Sequence, residues 1–220
     1  MKREETRRLI EEIGIVPVIR ASSAREARLA AEAVAKGGIP IVEITLTVPG
    51  AVQVIAELAK TMPEVLVGAG TVLNEGLACQ CAEAGAQFLV TPGFAKNCVT
   101  VAHEFDLPIM SGALTPSEVM AAWESGVDFV KIFPCGNVGG PGYIKALRGP
   151  LPQVPLVPTG GVNLENAADY IRAGAVALGV GGELIPKEAL QEEKVKLITE
   201  LAKLYTEVIK NVRKQNHKTA

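Results

Sequence analysis

The chain has 220 residues and a formal net charge of −2, so it offers no excess of positive charge for a nucleic-acid interface. Hydrophobic residues make up 48% and charged residues 21%, which is typical of a folded globular protein, and no apolar run is long enough to span a bilayer. The charged N-terminal segment lacks the apolar region of a signal peptide. We therefore expect a soluble, cytoplasmic protein with no nucleic-acid or membrane partner.

Strand and helix patterns alternate along the chain after a short amphipathic helix at 2–13. The predicted strands lie at 15–20, 39–46, 65–71, 87–91, 107–111, 129–133, 155–159 and 175–180. The predicted helices lie at 24–36, 51–60, 75–84, 95–105, 116–125, 141–148, 164–173 and 188–212. Ser22 or Ser23, and Thr115, are expected helix caps. The polar, basic residues 213–220 are expected to fray.

Eight short apolar strands, each followed by a helix, are typical of a parallel sheet that is buried on both faces. Such a chain forms either an open doubly wound sheet or a closed (β/α)8 TIM barrel. An open sheet would need a Gly-x-Gly-x-x-Gly turn after the first strand, but that turn reads Arg20-Ala-Ser-Ser23. We predict one barrel domain over residues 1–220 because eight complete units favour closure.

The cysteines and histidines do not suggest a metal site. Cys79 and Cys81 have no matching second pair at zinc-ligand spacing, and a disulfide framework is not expected in a chain of this length. We expect Cys79, Cys81, Cys98 and Cys135 to be free thiols. His103 and His217 lie outside every suggestive segment. No metal ion or cofactor is expected.

A lysine interrupts the sixth predicted strand, Phe129-Val-Lys-Ile-Phe133. Lysine is rarely buried without a partner, and loss of hydration favours the neutral amine, which is nucleophilic toward carbonyl carbons. Lys131 is therefore a candidate for covalent catalysis through an imine. The alternative is a lysine whose stem packs in the core while its ammonium group extends to water.

Polar residues recur at the carboxyl ends of the predicted strands, where barrel active sites form. These residues are Arg20, Glu43, Thr45, Thr71, Thr91, Ser111, Lys131 and Thr159. Alternation along the strands predicts that Glu43 and Lys131 both point into the barrel. Glu43 is then either a proton carrier for Lys131 or a structural ion-pair partner of Lys131 or Arg20.

Glycine pairs follow the last two strands, Gly160-Gly161 after the seventh and Gly181-Gly182 after the eighth. The loops after these strands often bind phosphate in barrels, through backbone amides and a helix N-terminus. The alternative is that the glycines only form tight turns.

Five motifs in register resemble the 2-keto-3-deoxy-6-phosphogluconate (KDPG) and 4-hydroxy-2-oxoglutarate (KHG) aldolase family, between about Ile15 and Leu184. They are Glu43-Ile-Thr-Leu46, Gly68-Ala-Gly-Thr-Val72, Thr91-Pro-Gly93, Val130-Lys-Ile-Phe-Pro134 and Pro158-Thr-Gly-Gly161. The resemblance implies a class I aldolase on a (β/α)8 barrel, commonly a homotrimer, that acts on a 2-keto-3-deoxy sugar acid or its phosphate.

The resemblance also implies roles for individual residues. Lys131 matches the Schiff-base lysine and Glu43 matches the proton-carrying glutamate. Thr71 matches the threonine that holds the pyruvate carboxylate. Pro92 and Phe133 match residues that line the pocket. The remaining matches are the glycines of the phosphate loops, Gly160, Gly161, Gly181 and Gly182, with Thr159 before the first pair.

The sequence departs from some members of the family at two places. Thr47 occupies a position where some members carry a carboxylate-binding arginine. Arg20, at the end of the first strand, could supply that charge, so we hypothesise that Arg20 binds the pyruvyl carboxylate. Some members have serine where Gly182 stands, which leaves phosphate binding to backbone amides.

The resemblance predicts cleavage of KDPG to pyruvate and glyceraldehyde 3-phosphate, and of KHG to pyruvate and glyoxylate. One alternative is another phosphate-binding barrel isomerase or synthase, in which Lys131 only binds an anion. Another alternative is a self-assembling barrel scaffold with little activity, because aromatic residues are few and the last helix is long.

Overall fold

A computed structural model describes residues 2–190 and 194–219 of the chain. Its strands are β1 (Ile15–Ile19), β2 (Ile41–Thr45), β3 (Leu66–Gly70), β4 (Leu89–Val90), β5 (Ile109–Ala113), β6 (Phe129–Ile132), β7 (Leu156–Pro158) and β8 (Leu178–Val180). Its α-helices are α1 (Arg3–Ile13), α2 (Ala24–Lys36), α3 (Ala51–Thr61), α4 (Glu75–Glu83), α5 (Lys96–Glu104), α6 (Pro116–Glu124), α7 (Pro141–Arg148), α8 (Ala167–Arg172) and α9 (Lys196–Thr219). The predicted alternation of strands and helices is confirmed.

The eight strands form one parallel sheet that curls into a barrel. Strands β1 to β7 lie side by side in chain order, and β8 pairs with β1 through Val16–Gly179 and its neighbours. A single bridge between Thr159 and Gly179 joins the end of β7 to β8. The strands are buried along their whole length between the lumen and the helices. This is the predicted (β/α)8 TIM barrel.

Polar side chains at helix N-termini explain where several helices begin. The Ser23 side chain accepts a hydrogen bond from the Glu26 amide and starts α2. Thr115 and Glu118 form a reciprocal capping box at the start of α6. Each satisfies backbone amides that the first helical turn leaves unpaired. Both predicted caps are therefore confirmed, with Ser23 rather than Ser22 at the first.

Two predicted elements near the seventh and eighth strands are shorter than expected. The helix predicted at 164–173 begins only at Ala167. Its first residues form a turn in which Oδ1 of Asn163 accepts hydrogen bonds from the amides of Glu165 and Asn166. The strand predicted at 175–180 begins at Leu178. A polar turn therefore separates the first glycine pair from the helix that follows it.

The last helix differs most from the prediction, which has it at 188–212 followed by fraying. Residues Lys187–Leu190 form a separate 3-10 helix, and α9 continues to Thr219. Of the expected helix and tail, residues 191–193 and 220 lie outside the described residues. The Arg213 guanidinium donates to the carbonyls of Glu11, Glu12 and Val176 at 2.7, 2.6 and 3.0 Å, and the fraying expected over 213–220 stays a prediction.

An ion pair lies at the amino-terminal end of the barrel. Arg3 of α1 donates from Nε to both carboxylate oxygens of Asp128, at 2.9 and 3.1 Å. Asp128 also accepts the amide of Ile109 at 2.8 Å, and Arg3 reaches the carbonyl of Gly126 at 2.8 Å. Helix α1 is thereby fixed across this end.

No helix among the described residues combines the length and apolar character that crossing a membrane requires.

Candidate active site

Lys131 and Glu43 face each other across the interior of the barrel. Each is the third residue of its strand, and β3, β4 and β5 separate β6 from β2 in the sheet. The Nζ atom of Lys131 lies 3.7 Å from Oε1 of Glu43, and the two side chains are 5% and 2% exposed. Both side chains therefore point inward, as the alternation along the strands predicts.

The Glu43 carboxylate is not fully satisfied by the protein. Oε1 is buried and has no hydrogen-bond partner among the described residues. Its 3.7 Å separation from Nζ of Lys131 is longer than a hydrogen bond, so the two groups interact mainly through charge. A buried oxygen left in this state is energetically unfavourable. It is available to a hydroxyl group on a ligand that enters the barrel.

Glycines on β3 make the space that Glu43 occupies. A Cβ atom at Gly70 would collide with Oε1 of Glu43, and one at Gly68 would collide with the Phe88 ring. Gly70 pairs with Thr45 in the sheet, two residues beyond Glu43. The role of Gly70 was missed from the sequence, where the only signal is a small residue at the end of a strand that faces the lumen.

Thr71 follows Gly70 directly and adopts an unusual backbone conformation. Its φ is +59°, in the left-handed region that β-branched residues rarely occupy. Such a conformation costs about 1–3 kcal/mol and is concentrated at functional sites. Thr71 therefore lies at the mouth of the barrel, directly after β3, in a strained backbone conformation.

The Thr91 hydroxyl fixes the loop that carries Pro92. It donates to the carbonyl of Gly93 at 2.6 Å and accepts the amide of Gly112 at 3.2 Å. Gly112 pairs with Lys131 in the sheet, and a Cβ at Gly112 would collide with the backbone of Pro92. The loop at Pro92 thus lies over the residue beside Lys131. We interpret Thr91 as a structural residue that holds this loop, and Pro92 as part of the wall of the space around Lys131.

A similar hydroxyl joins the ends of the first two strands. Thr45 donates to the carbonyl of Ile19 at 2.9 Å and shares a 2.7 Å hydrogen bond with Thr47. The Thr47 side chain therefore supports the end of β1, immediately before Arg20. Nothing in this arrangement gives Thr47 the charge that an arginine would bring.

A cavity of about 190 Å³ opens at the carboxyl ends of β1, β7 and β8. It is lined by Val18, Arg20, Phe133, Thr159, Gly160, Gly161, Val162, Gly179, Gly181, Gly182 and Glu183. The cavity brings together both predicted glycine pairs, Thr159, Phe133 and Arg20. Lys131 does not line it, but Nζ of Lys131 lies 5.6 Å from the centre of the Phe133 ring. Phe133 therefore lies between the buried pair and this cavity.

The first glycine pair has a backbone conformation that other residues rarely adopt. Gly160 and Gly161 have φ of +85° and +79°, and a Cβ at Gly161 would lie 2.9 Å from Cα of Gly136. The amide of Gly136 donates to the carbonyl of Gly160 at 2.8 Å. Because α8 starts only at Ala167, the cavity is bounded by the glycine loops rather than by a helix N-terminus.

The four cysteines are free thiols, and three of them are buried. Burial raises the pKa of both Cys81 and Cys135 to about 11, so these thiols stay protonated at neutral pH and are poor nucleophiles. Within the described ranges, no group of three or more His, Cys, Asp or Glu side chains could hold a metal ion. Lys131 and Glu43 remain the groups with reactive chemistry in the barrel.

A buried lysine and carboxylate at the carboxyl end of a (β/α)8 barrel define an enzyme class in which an amine attacks a carbonyl carbon. The family model described as KDPG and KHG aldolase matches residues 7–201. The chain belongs to this family, whose members are aldolases and therefore carbon–carbon lyases. The resemblance predicted from the five motifs is confirmed.

Named relatives agree with this assignment. The KHG/KDPG aldolase of Escherichia coli strain K12 is 38% identical over 189 residues, covering 86% of this chain and 89% of the relative. A KDPG aldolase structure from Legionella pneumophila, with pyruvate captured as a covalent carbinolamine, has a TM-score of 0.80 and 34% identity over 86% of this chain and 92% of that one. A native KDPGal structure has a TM-score of 0.84 and 29% identity, covering 91% and 96% of the two chains.

Proposed function

We propose that the protein is a class I aldolase that cleaves KDPG to pyruvate and glyceraldehyde 3-phosphate. We extend the proposal to KHG, which would give pyruvate and glyoxylate. The observation that carries it is the buried Lys131–Glu43 pair, whose 3.7 Å separation leaves Oε1 of Glu43 without a hydrogen bond from any residue that the structure describes. An amine and a free carboxylate oxygen in one desolvated space are the two groups that imine chemistry requires.

The first half of the reaction makes the substrate electrophilic. The neutral amine of Lys131 attacks the C2 ketone and forms a carbinolamine, which takes up one proton and loses water to give a protonated imine. The Glu43 carboxylate then takes the proton of the C4 hydroxyl. The C3–C4 bond breaks, its electron pair moves toward the iminium nitrogen, and the aldehyde leaves.

The second half regenerates the enzyme. The enamine that remains on Lys131 takes a proton at C3 and becomes an iminium ion of pyruvate. Water adds to this ion and releases pyruvate together with the free amine. Glu43 is the nearby group that can return the proton it removed. The buried position of Lys131, 4% exposed, supports this cycle because it holds the amine inside the barrel beside Glu43.

The other residues of the site bind and orient the substrate in this proposal. Thr71 holds the pyruvyl carboxylate, and Pro92 and Phe133 form the walls beside the reacting carbons. The distal end of the substrate occupies the cavity between the glycine loops, bounded by Thr159, Gly160, Gly161, Gly181 and Gly182. The backbone amides of the glycine loops, and the lack of a side chain at each glycine, suit the close approach of a phosphate group.

Borohydride trapping tests the imine directly. Protein treated with pyruvate and borohydride should gain the mass of one reduced pyruvyl group, located on Lys131 by peptide mapping. Protein treated with borohydride alone, and the Lys131→Met variant treated with both reagents, are the controls and should gain nothing. Active protein that gives no adduct would rule out the Schiff base and favour an isomerase or synthase in which Lys131 binds an anion.

Pyruvate release separates the enzyme from the scaffold alternative, because a scaffold with little activity would release almost none.

We further propose a cytoplasmic homotrimer. Leu73 and Phe94 follow the adjacent strands β3 and β4 and are 60% and 40% exposed, which supports burial of this apolar surface between subunits. Native mass spectrometry should give the mass of three chains. A single-chain mass at micromolar concentration would contradict the trimer.

A further inference from the structure

Arg20 lies at the edge of the glycine-lined cavity, on the side formed by β1. The β1–β8 register continues past Pro17–Val180, so Gly181 lies next to Val18. A Cβ on Gly181 would lie 3.8 Å from the carbonyl oxygen of Val18 and 3.9 Å from a terminal nitrogen of Arg20. The guanidinium group of Arg20 therefore lies beside Gly181, the first residue of the second glycine pair.

Two anions on the substrate compete for this guanidinium, and their distances from Lys131 distinguish them. The C1 carboxylate is bonded to C2, so its oxygens stay within about 4 Å of Nζ once C2 is attached to Lys131. The terminal phosphorus of KDPG lies six bonds from C2 and extends to about 7 Å from it. The Phe133 ring centre is 5.6 Å from Nζ. The carboxylate therefore stays close to Lys131, which does not line the cavity, whereas the distal phosphate is long enough in reach to enter the cavity that Arg20 and Phe133 line.

We propose that Arg20 is the cation of the distal subsite and selects substrates with a terminal phosphate, instead of binding the pyruvyl carboxylate. The inference rests on the proposed aldolase function and identifies which end of the substrate Arg20 contacts. Glycine amides supply hydrogen bonds, but Glu183 also lines the cavity, and its negative charge disfavours a phosphate dianion nearby. Arg20 offsets this repulsion and offers two parallel donors to the phosphate oxygens.

The charge on Glu183 also acts outside the cavity. Burial, followed by the charge on Glu183, raises the pKa of the Tyr205 hydroxyl on α9. The Glu183 carboxylate therefore also acts on a buried hydroxyl group of the last helix. Loss of Arg20 would leave Glu183 as the charged side chain that remains on the cavity lining.

The test compares the Arg20→Gln variant with wild type on KDPG and on unphosphorylated 2-keto-3-deoxygluconate. We expect kcat/KM for KDPG to fall about tenfold to hundredfold, mainly through KM, because one charge-assisted contact is lost. We expect kcat/KM for the unphosphorylated substrate to change less than about threefold. Inorganic phosphate should inhibit turnover of the unphosphorylated substrate by wild type, and much less so with the variant.

The matched control is Lys187→Gln, which removes the same charge. Lys187 shares a neighbouring cavity with Arg20 but does not line the glycine cavity, so both substrates should react as with wild type. Equal losses on the two substrates in Arg20→Gln would overturn the assignment and return Arg20 to the pyruvyl carboxylate. Wild-type protein that releases pyruvate from neither substrate would instead overturn the proposed function, and with it this inference.

Discussion

Two ion pairs of opposite character lie at the two ends of strand β6. At the amino-terminal end, Asp128 and Arg3 are joined at 2.9 and 3.1 Å, and further hydrogen bonds satisfy both groups. Three residues later, Lys131 lies 3.7 Å from Glu43, and Oε1 of Glu43 is left without a hydrogen bond among the described residues. The first pair completes its contacts within the protein. The second keeps its contacts available for a ligand.

The difference shows how stability and reactivity are separated within one strand. The closely hydrogen-bonded Arg3–Asp128 pair holds α1 against the barrel. An unsatisfied pair in a desolvated space contributes little stability, because the burial of the charges is not offset by hydrogen bonds. Reactive groups in proteins are commonly held at such a cost.

The largest expected effect comes from removing both charges of the Lys131–Glu43 pair. The double variant Lys131→Met with Glu43→Gln should lose activity by about 10⁴-fold or more, because the nucleophile is absent. Its free energy of unfolding should be unchanged or higher by about 1–4 kcal/mol, because two buried charges are removed together. Pyruvate release and urea denaturation measure the two quantities.

The exposed Lys145→Met, on α7, is the control and should change neither quantity appreciably. A clear loss of stability in the double variant would show that the Lys131–Glu43 pair supports the fold. The two pairs would then not differ in their contribution to stability, because the Arg3–Asp128 pair is also expected to stabilise the fold.

A smaller effect is expected from Gly70→Ala, which leaves every charge in place. The new methyl group must displace the Glu43 carboxylate, and a displacement of about 1 Å at a reacting group can reduce turnover by about 10²-fold. The loss should appear in kcat, while borohydride trapping on Lys131 persists. Gly142→Ala is the control, since nothing lies within 4 Å of its added methyl group. Unchanged kcat in Gly70→Ala would show that the position of Glu43 is not critical.

The smallest effect on activity is expected from a change to the Arg3–Asp128 pair. Asp128→Asn should leave kcat unchanged but lower the free energy of unfolding by about 1.5–3 kcal/mol, because hydrogen bonds to a charged group are weakened. Glu4→Gln breaks an exposed pair with Arg7 and should cost less than about 0.5 kcal/mol. A fall in kcat in Asp128→Asn at full folding would mean that the two ends of β6 are coupled.

The parts of the fold that depend on periodicity were predictable from the sequence. The eight units and the inward direction of Glu43 and Lys131 follow from alternation along short strands. The end of α9 was not predictable, because Arg213 is held by carbonyl groups of Glu11, Glu12 and Val176, far away in the chain. A polar and basic tail gives no sign of such partners.

Contacts between residues that are far apart in the chain could not be predicted from the sequence either. Asp128 directly precedes the sixth strand, but its partner Arg3 is 125 residues away and carries no pattern that marks it. Gly70 has no side chain to suggest a role, and its importance is visible only against Glu43. The position of Arg20 in the glycine cavity depends on the conformation of a long, exposed side chain, which the sequence does not determine.

The pairing of the first strand with the last has a consequence for synthesis. β1 pairs with β2 on one side, but its other edge is covered only by β8, more than 150 residues later in the chain. During translation at about 5–20 residues per second, the ribosome releases β1 long before β8 exists. An uncovered apolar strand edge is a site of aggregation. The nascent chain is therefore most vulnerable between the emergence of its second strand and the completion of its eighth.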